Sequence, residues 1–440
     1  VQFGLFRSNK PFPVQKWPGY YGWMVLIAGT AGMAAAIPGS PPGMGVFIDQ
    51  MMEALSMDRS QFSLAYTFGT VFAGLSAPLA GHCVDRYGAR KVACLGFALL
   101  GCVLVYTGLL QHITSVLPAG SLHAILSFGL VFIAFAGIRL IGVGLCMTAC
   151  RSMIFKWFEG RRGWAAAING VVLSLSFSSA PVFLNGVVLA VGWQLAWMYT
   201  GVFFAVAMTI WAYLFFRDSP ESCGVEVEQV KSKGSRTRIP VVRDFRGSEA
   251  LRTAAFWIFT SGLALNALIG TGVSFHFIAI AELEGLGRQT AVNLFLYIAI
   301  FHISTTLIMG ALSSRFPMKY LLMLMVGAQA ASLIGVLNLS DAFWRWVYIA
   351  GNGVAWGSFG ILINVPWPRF FGRLHLGSIN GWVTGATVAT SALGPYLFGL
   401  LAEKTGSFGP ACWICIAVSP LVLVAAIFAD NPQGKAEGEG

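Results

Sequence analysis

Apolar residues in this chain fall neither in strict alternation nor on one helical face; they come in long continuous runs. Twelve runs stand out, at about 23–48, 60–80, 91–111, 124–150, 164–190, 194–216, 254–281, 290–312, 318–338, 344–366, 376–401 and 409–429. Each is close to the roughly 20 residues a helix needs to cross a hydrocarbon core of about 30 Å. Gly, Ser and Ala are interspersed, and the alternation of a membrane barrel strand is missing. The pattern predicts an all-α polytopic membrane protein with twelve transmembrane helices.

The polar gaps give the organisation. The longest, 217–250, is rich in Lys, Arg, Ser and Glu and divides six spans from six. We expect an N-terminal segment over 1–22, a six-helix bundle over 23–216, a linker over 217–250, a second bundle over 251–429 and a tail over 430–440. The linker reads as a solvated tether rather than a binding domain. The two halves echo each other. Gly81-x-x-x-Asp85-Arg86-Tyr87-Gly88-Ala89-Arg90 joins spans 2 and 3, and Gly310-x-x-x-Ser314-Arg315-Phe316-Pro317-Met318-Lys319 joins spans 8 and 9. Trp157-Phe158 answers Phe370-Phe371, Ala180-Pro181 answers Gly394-Pro395, and Arg139 falls opposite Asn352. Parallel six-helix repeats are a layout of alternating-access transporters, with substrate near the midplane between the halves. In the second copy the acid has become Ser314.

Composition sharpens this picture. The chain has 440 residues, 56% hydrophobic and only 10% charged, where a soluble domain would have about a quarter charged. A net charge of +10 would suggest nucleic acid in a soluble protein, but here it is topology. Assigning alternate loops to opposite sides leaves Arg59, Arg288, Arg345 and Lys404 on one side and Arg139 inside a span. The remaining Lys and Arg lie on the other, so the positive-inside rule places both termini in the cytoplasm, in a cell (inner or plasma) membrane. No nucleic-acid partner is expected. Residues 1–18 are polar and the first apolar run is too long for a cleavable signal peptide; a first residue other than Met points to a trimmed or partial N-terminus. The eight Cys lie in spans or cytoplasmic loops, where disulfides are unusual, and Cys412-x-x-Cys415 reads as packing. No phosphate-binding loop, metal-ligand spacing or nucleophile–base pair is visible, so neither enzyme chemistry nor a cofactor is expected.

Over essentially its whole length the sequence resembles the major facilitator superfamily. Gly81-His-Cys-Val-Asp85-Arg86-Tyr-Gly88-Ala-Arg90-Lys91 is similar to that family's loop motif between spans 2 and 3. Arg139-Leu-Ile-Gly142-Val-Gly144 is similar to its fourth-span motif. Finer similarity points to bacterial relatives of monocarboxylate and oxalate–formate porters. It is carried by Pro38-Gly39 through Asp49, Trp157-Phe158 with Arg161-Arg162-Gly163, Phe371-Gly372-Arg373 through Ile379, and Gly394-Pro395. Members of that branch typically hold a carboxylate with Arg in span 8 or Lys in span 11; this sequence departs from that, offering His302 and no cation there. The resemblance implies that Asp85 clusters with Arg86, Arg90 and a basic residue at the end of span 4 such as Arg151. It also implies that Asp85 faces the start of span 11 near Gly377 and Ser378. Such a latch would gate one side, with Gly81 and Gly88 allowing the close approach and the tight turn.

Ionisable groups within spans are costly unless paired or facing water, which makes them functional candidates. Arg139 lies about 24 Å from the cytoplasmic edge at 1.5 Å per residue. It could attract an anion, assist a proton step, or satisfy carbonyls between helices. His302, near the centre of span 8, could carry a proton or donate to an anion, or bond to Thr305 or Thr306. His276 reads as interfacial or gating, and Asp49 and Glu282 as outer-interface acids. Three Pro and three Gly within 37–45 interrupt span 1 and suggest a cavity lining, with Gly270 and Gly272 weakening the matching part of span 7. Tyr66, Asn169, Asn266, Tyr297, Asn352, Trp356, Asn364, Asn380 and Thr384 add polarity near mid-span, each either a ligand group or interhelical glue.

The expected function is alternating-access transport of a small organic anion such as a monocarboxylate, coupled to protons, by a monomer in lipid. Substrate contact is assigned to Arg139, His302, Tyr66, Asn266, Tyr297, Asn352, Trp356 and Asn364, and proton coupling to His302 and Arg139. Transport of a neutral metabolite, drug efflux, or a membrane sensor without flux stay open.

Overall fold

In the computed structural model the apolar runs are helices, and no strand occurs among the described residues, 10–37, 46–57, 59–118, 121–227 and 241–436. The main helices are α1 (Gly22–Ala35), α2 (Ile48–Leu55), α3 (Arg59–Tyr87), α4 (Ala89–Ser115), α5 (Ser121–Gly137), α6 (Thr148–Trp157), α7 (Arg162–Phe203), α8 (Thr209–Phe215), α9 (Ala254–Leu283), α10 (Arg288–Leu312), α11 (Met318–Val336), α12 (Ala342–Leu362), α13 (Leu376–Thr405) and α14 (Gly409–Ile427). π-Helical stretches join α5 to α6 over Ile138–Met147 and α7 to α8 over Phe204–Met208.

Among the described residues, nine helical stretches are long and apolar enough to cross a membrane. Three places account for the difference from twelve runs. The first run yields only the 14 residues of α1, because the Pro- and Gly-rich interruption at 38–45 lies outside the described residues. Runs five and six form one helical stretch, α7, bent at Gly192 with φ 81° and ψ 161°. The tenth run is the 21-residue α12, whose Arg345, Asn352 and glycines dilute its apolarity. The chain is a multi-pass membrane protein.

The chain divides into two compact units. One comprises Val1–Gly160, Val172–Val230 and Gly377–Gly385; the other comprises Arg161–Val171, Lys231–Leu376 and Ala386–Gly440. In the first unit, α3 shows how the bundle is built. Leu64, Phe68, Phe72, Leu75 and Leu79 recur every three or four residues and are exposed, while Phe62, Ala65, Ala73, Ala77, Ala80 and Val84 are buried. The exposed row is made of large apolar groups and the buried one mostly of small ones, with Phe62 the exception, as expected when lipid is the solvent and helices must approach closely. Where the chain enters and leaves this unit, polar groups tie the helix ends together. The Tyr21 hydroxyl donates to the Phe215 carbonyl at 2.8 Å, and the Trp157 indole N–H donates to the Arg217 carbonyl at 3.0 Å. Burial pushes the Tyr21 phenol up to about 12, so it stays a donor at physiological pH.

In the second unit, Pro395 lies inside α13 and cannot donate to the carbonyl of Ser391 one turn back. The Thr271 hydroxyl of α9 lies 2.8 Å from that carbonyl and 2.6 Å from the Ala267 carbonyl of its own helix, and a His276 ring nitrogen lies 3.0 Å from the Pro395 carbonyl. Gly270 and Gly272 correct an expectation. Rather than weakening α9, which runs unbroken from Ala254 to Leu283, they seat neighbours. A β-carbon at Gly270 would collide with the Trp356 indole, and one at Gly272 would lie 2.7 Å from the Phe398 ring.

Candidate functional site

Arg139 lies in the π-helical stretch between α5 and α6. Such stretches loosen the helix register and are frequent at functional sites. Its side chain is only 5% exposed. The guanidinium carbon lies 5.9 Å from the centroid of the Tyr66 ring on α3, about the outer limit of cation–π attraction. Phe135 packs edge-on against the same ring at 5.4 Å. The Tyr66 hydroxyl is buried and makes no hydrogen bond within the protein. The first unit thus sets a buried guanidinium near the ring of a tyrosine whose hydroxyl is unsatisfied, two donors of the kinds that bind a carboxylate or sulfonate.

The second unit holds the other polar candidates. Asn266 on α9 is 2% exposed, and neither atom of its amide finds a hydrogen-bond partner. Gln329 on α11, which the sequence reading passed over, is in the same condition. Buried amides left unsatisfied call for water or ligand, because each otherwise costs about 1–3 kcal/mol. Asn352 is buried on α12, and Trp356 packs edge-on against Phe359 at 5.3 Å. Asn364 donates to the Gly360 carbonyl at 2.7 Å, while its own carbonyl oxygen is unsatisfied. His302 is half-buried on α10. Thr306 sends its hydroxyl to the His302 backbone carbonyl at 2.8 Å and lies 3.4 Å from that of Gly357. Tyr297, by contrast, is 45% exposed and stands against Trp346 at 5.5 Å. The side chain of Asp49 lies outside the described residues, and Glu282 is exposed.

The charged turn after α3 has the most definite geometry. The Asp85 carboxylate accepts from the Gly377 N–H at 2.7 Å and the Ser378 N–H at 2.6 Å. These are the second and third residues of α13, whose preceding residue, His375, supplies no side-chain cap. Asp85 therefore performs from another helix what an N-cap residue does locally, with the helix dipole adding to the attraction. Glycines make this possible: a β-carbon at Gly81 would collide with the Gly377 carbonyl, and one at Gly377 would lie 2.6 Å from the Asp85 carboxylate. Two further bonds continue the seam. Arg151 donates to the Thr384 hydroxyl at 3.2 Å, and the Asn380 amide donates to the Ser152 hydroxyl at 3.1 Å.

Arg86 is exposed and lies 5.4 Å over the Tyr87 ring. Arg90 is buried; its guanidinium donates to the Tyr213 carbonyl at 2.5 Å and the Lys10 carbonyl at 2.8 Å. Its backbone N–H donates to Asp218 at 2.8 Å. Gly88, at φ +89°, lies so close that a β-carbon would be 2.8 Å from the same carboxylate. Asp218 was not singled out from the sequence. A signal existed, because Asp218-Ser-Pro220-Glu221 after the sixth run recurs as Asp430-Asn-Pro432-Gln433 after the twelfth. The second copy behaves differently: Asp430 pairs with Lys319 at 2.7 Å, with its side chain 72% exposed. The second unit repeats the glycine contact without the acid. A β-carbon at Gly163 would collide with the Gly310 carbonyl and the Ser313 hydroxyl.

Known proteins resemble this chain in sequence and in fold. The chain is 21% identical over 246 residues to the oxalate:formate antiporter of Oxalobacter formigenes, covering 56% of this chain and 52% of that protein, about half its length. It is 23% identical over 431 residues to mouse monocarboxylate transporter 11, covering 92% of this chain and 86% of that one. Among solved structures, a bacterial homologue of the iron transporter ferroportin, in an outward-facing state, superposes with a TM-score of 0.67. The identity is 12%, with 92% of this chain and 99% of that chain covered, and the likeness is one of fold. The relatives are transporters, not enzymes. A family model described as Major Facilitator Superfamily matches residues 24–373, and the chain belongs to that superfamily.

Proposed function

We propose that this protein is a secondary transporter that moves a small organic anion across the membrane by alternating access, coupled to protons. The observation that carries the reading is buried Arg139 lying against the ring of Tyr66, whose hydroxyl is unsatisfied. A guanidinium and a hydroxyl are the donors that recognise a carboxylate or sulfonate, and ionisable residues within spans mark substrate and ion pathways. The names of the relatives, an oxalate:formate antiporter and a monocarboxylate transporter, support the same substrate class. Asn266, Asn352, Trp356, Asn364 and Tyr297 are the further contact candidates of the second half. Proton coupling is assigned to His302 and Arg139. Asp85 with Gly81, Gly88, Arg86, Arg90 and Arg151 forms the latch that closes one side. The protein works as a monomer in a cell membrane, with both termini in the cytoplasm.

The test is uptake of labelled oxalate, formate and lactate into proteoliposomes. Arg139→Ala should raise KM by about 10–100-fold, the equivalent of losing a charge-assisted bond of about 1.5–3 kcal/mol. Tyr66→Phe should raise it by a smaller factor. Uptake of a neutral sugar but of no carboxylate or sulfonate would overturn the substrate class. A response to an imposed pH gradient that survived both His302→Ala and Arg139→Ala would remove the coupling role.

A further inference from the structure

The end of the linker is not a free tether. Its residues 241–249 lie against the loop that leads into α13. The Phe245 N–H donates to the Phe371 carbonyl at 2.9 Å, and their rings meet edge to face at 5.7 Å. Gln433, fully buried, accepts from the Val242 and Arg243 N–H groups at 3.1 Å each. Its amide nitrogen donates to the Arg243 carbonyl at 2.8 Å and the Phe370 carbonyl at 2.9 Å.

Asp244 supplies the third part of this clasp. One carboxylate oxygen accepts from the Arg373 N–H at 2.7 Å and the Leu374 N–H at 3.1 Å. Gly372 makes room for it. At φ +79° it adopts a conformation side chains rarely take, and a β-carbon there would collide with the same carboxylate oxygen. Helix α13 begins two residues after Leu374 without a side-chain cap of its own. Its entry amides are divided between two acids from distant parts of the chain: Asp244 takes 373 and 374, and Asp85 takes 377 and 378.

We infer that Asp244 is a positioning residue: by fixing the loop Gly372–Leu374, it sets the direction in which α13 offers the Gly377 and Ser378 N–H groups to Asp85. The physical reason is the short chain between the two sets of amides. From Leu374 to Gly377 is less than one helical turn, so rotation of the loop re-aims both donors. A carboxylate accepting two N–H bonds also needs both donors aligned at once. The linker thereby acts on the Asp85 contact through the chain, without touching it.

Hydrogen–deuterium exchange on the full chain in lipid nanodiscs tests this without any knowledge of the substrate. Overlapping peptides should cover residues 370–380, with Asp85→Ala as the reference for a lost contact. Asp244→Ala should speed exchange at Gly377 and Ser378 by about tenfold, the equivalent of one charge-assisted bond. Gly372→Ala, which displaces the carboxylate from the opposite side, should do the same. Asp244→Asn keeps an acceptor oxygen and should largely restore protection. Faster exchange confined to residues 373–374 would overturn the inference, since Asp244 would then serve only its own loop. So would a uniform loss of protection through α13 and α14, which would mark a merely structural role.

Discussion

Gly81 and Asp85 lie one helical turn apart on α3 and make different demands on α13. Asp85 needs the Gly377 and Ser378 amides within bonding distance, and Gly81 removes the methyl group that would keep them away. The two therefore should not respond alike to substitution. Gly81→Ala overpacks a backbone contact, a change that typically costs 1–3 kcal/mol, and it should lower the melting temperature of the purified protein by several degrees. Asp85→Asn keeps the packing and one acceptor oxygen but offers the Ser378 N–H an amide nitrogen, which cannot accept. We expect normal membrane insertion, a small change in melting temperature and impaired transport turnover. Equal stability of Gly81→Ala and wild type would show that the two helices can part at little cost, contrary to the packing described.

At the scale of elements, proline placement is the most instructive feature. Pro395 would be expected to kink α13 and leave the Ser391 carbonyl unsatisfied in an apolar setting. The Thr271 hydroxyl of α9 reaches it at 2.8 Å while lying 2.6 Å from the Ala267 carbonyl, so one hydroxyl serves carbonyls of two helices. Thr271→Val keeps the shape and removes the donor; it should destabilise by about 1–3 kcal/mol, whereas Thr271→Ser should be near neutral. Thermal unfolding of the two variants decides it, and identical values would mean the carbonyl finds water instead. The same helix shows where sequence reading stops. The helical runs and their order are plain, because apolarity over about 20 residues is a property of the local sequence. The position of Asp85 opposite Gly377 and Ser378 was legible only through the motif that surrounds it. Gly270 and Gly272 were misread, because local propensity counts a glycine as a weakness while the fold uses it as a seat for Trp356 and Phe398. Asp218, Asp244 and Gln433 went unnoticed because each caps or staples backbone more than 60 residues away. No periodicity marks such a residue.

For the whole molecule, the number of crossings decides which side each end occupies. Length and apolarity alone pick out nine stretches among the described residues, and an odd number would put the two ends on opposite sides. The helix pattern argues for twelve. One of the nine stretches, Phe183–Phe215, contains the bend at Gly192 and π-helical Phe204–Met208, and helix extends back from it to Arg162. α12 is 21 residues long, about 30 Å of helix at 1.5 Å per residue, even though polar groups dilute it. α1, followed by α2, occupies the first run. The distribution of Lys and Arg is the ground for proposing that both ends are cytoplasmic. A reporter that fluoresces only in the cytoplasm, fused after Gly440, should be bright, and alkaline phosphatase at the same point should be inactive. The opposite result should appear for fusions between α4 and α5, near Val116, where the loop carries no Lys or Arg. An active phosphatase at the C-terminus with a bright N-terminal reporter would mean that the ends face the same way only in the charge pattern. The two-bundle reading would then have to give up one crossing, and with it the pairing of Arg139 with Asn352 as equivalent positions.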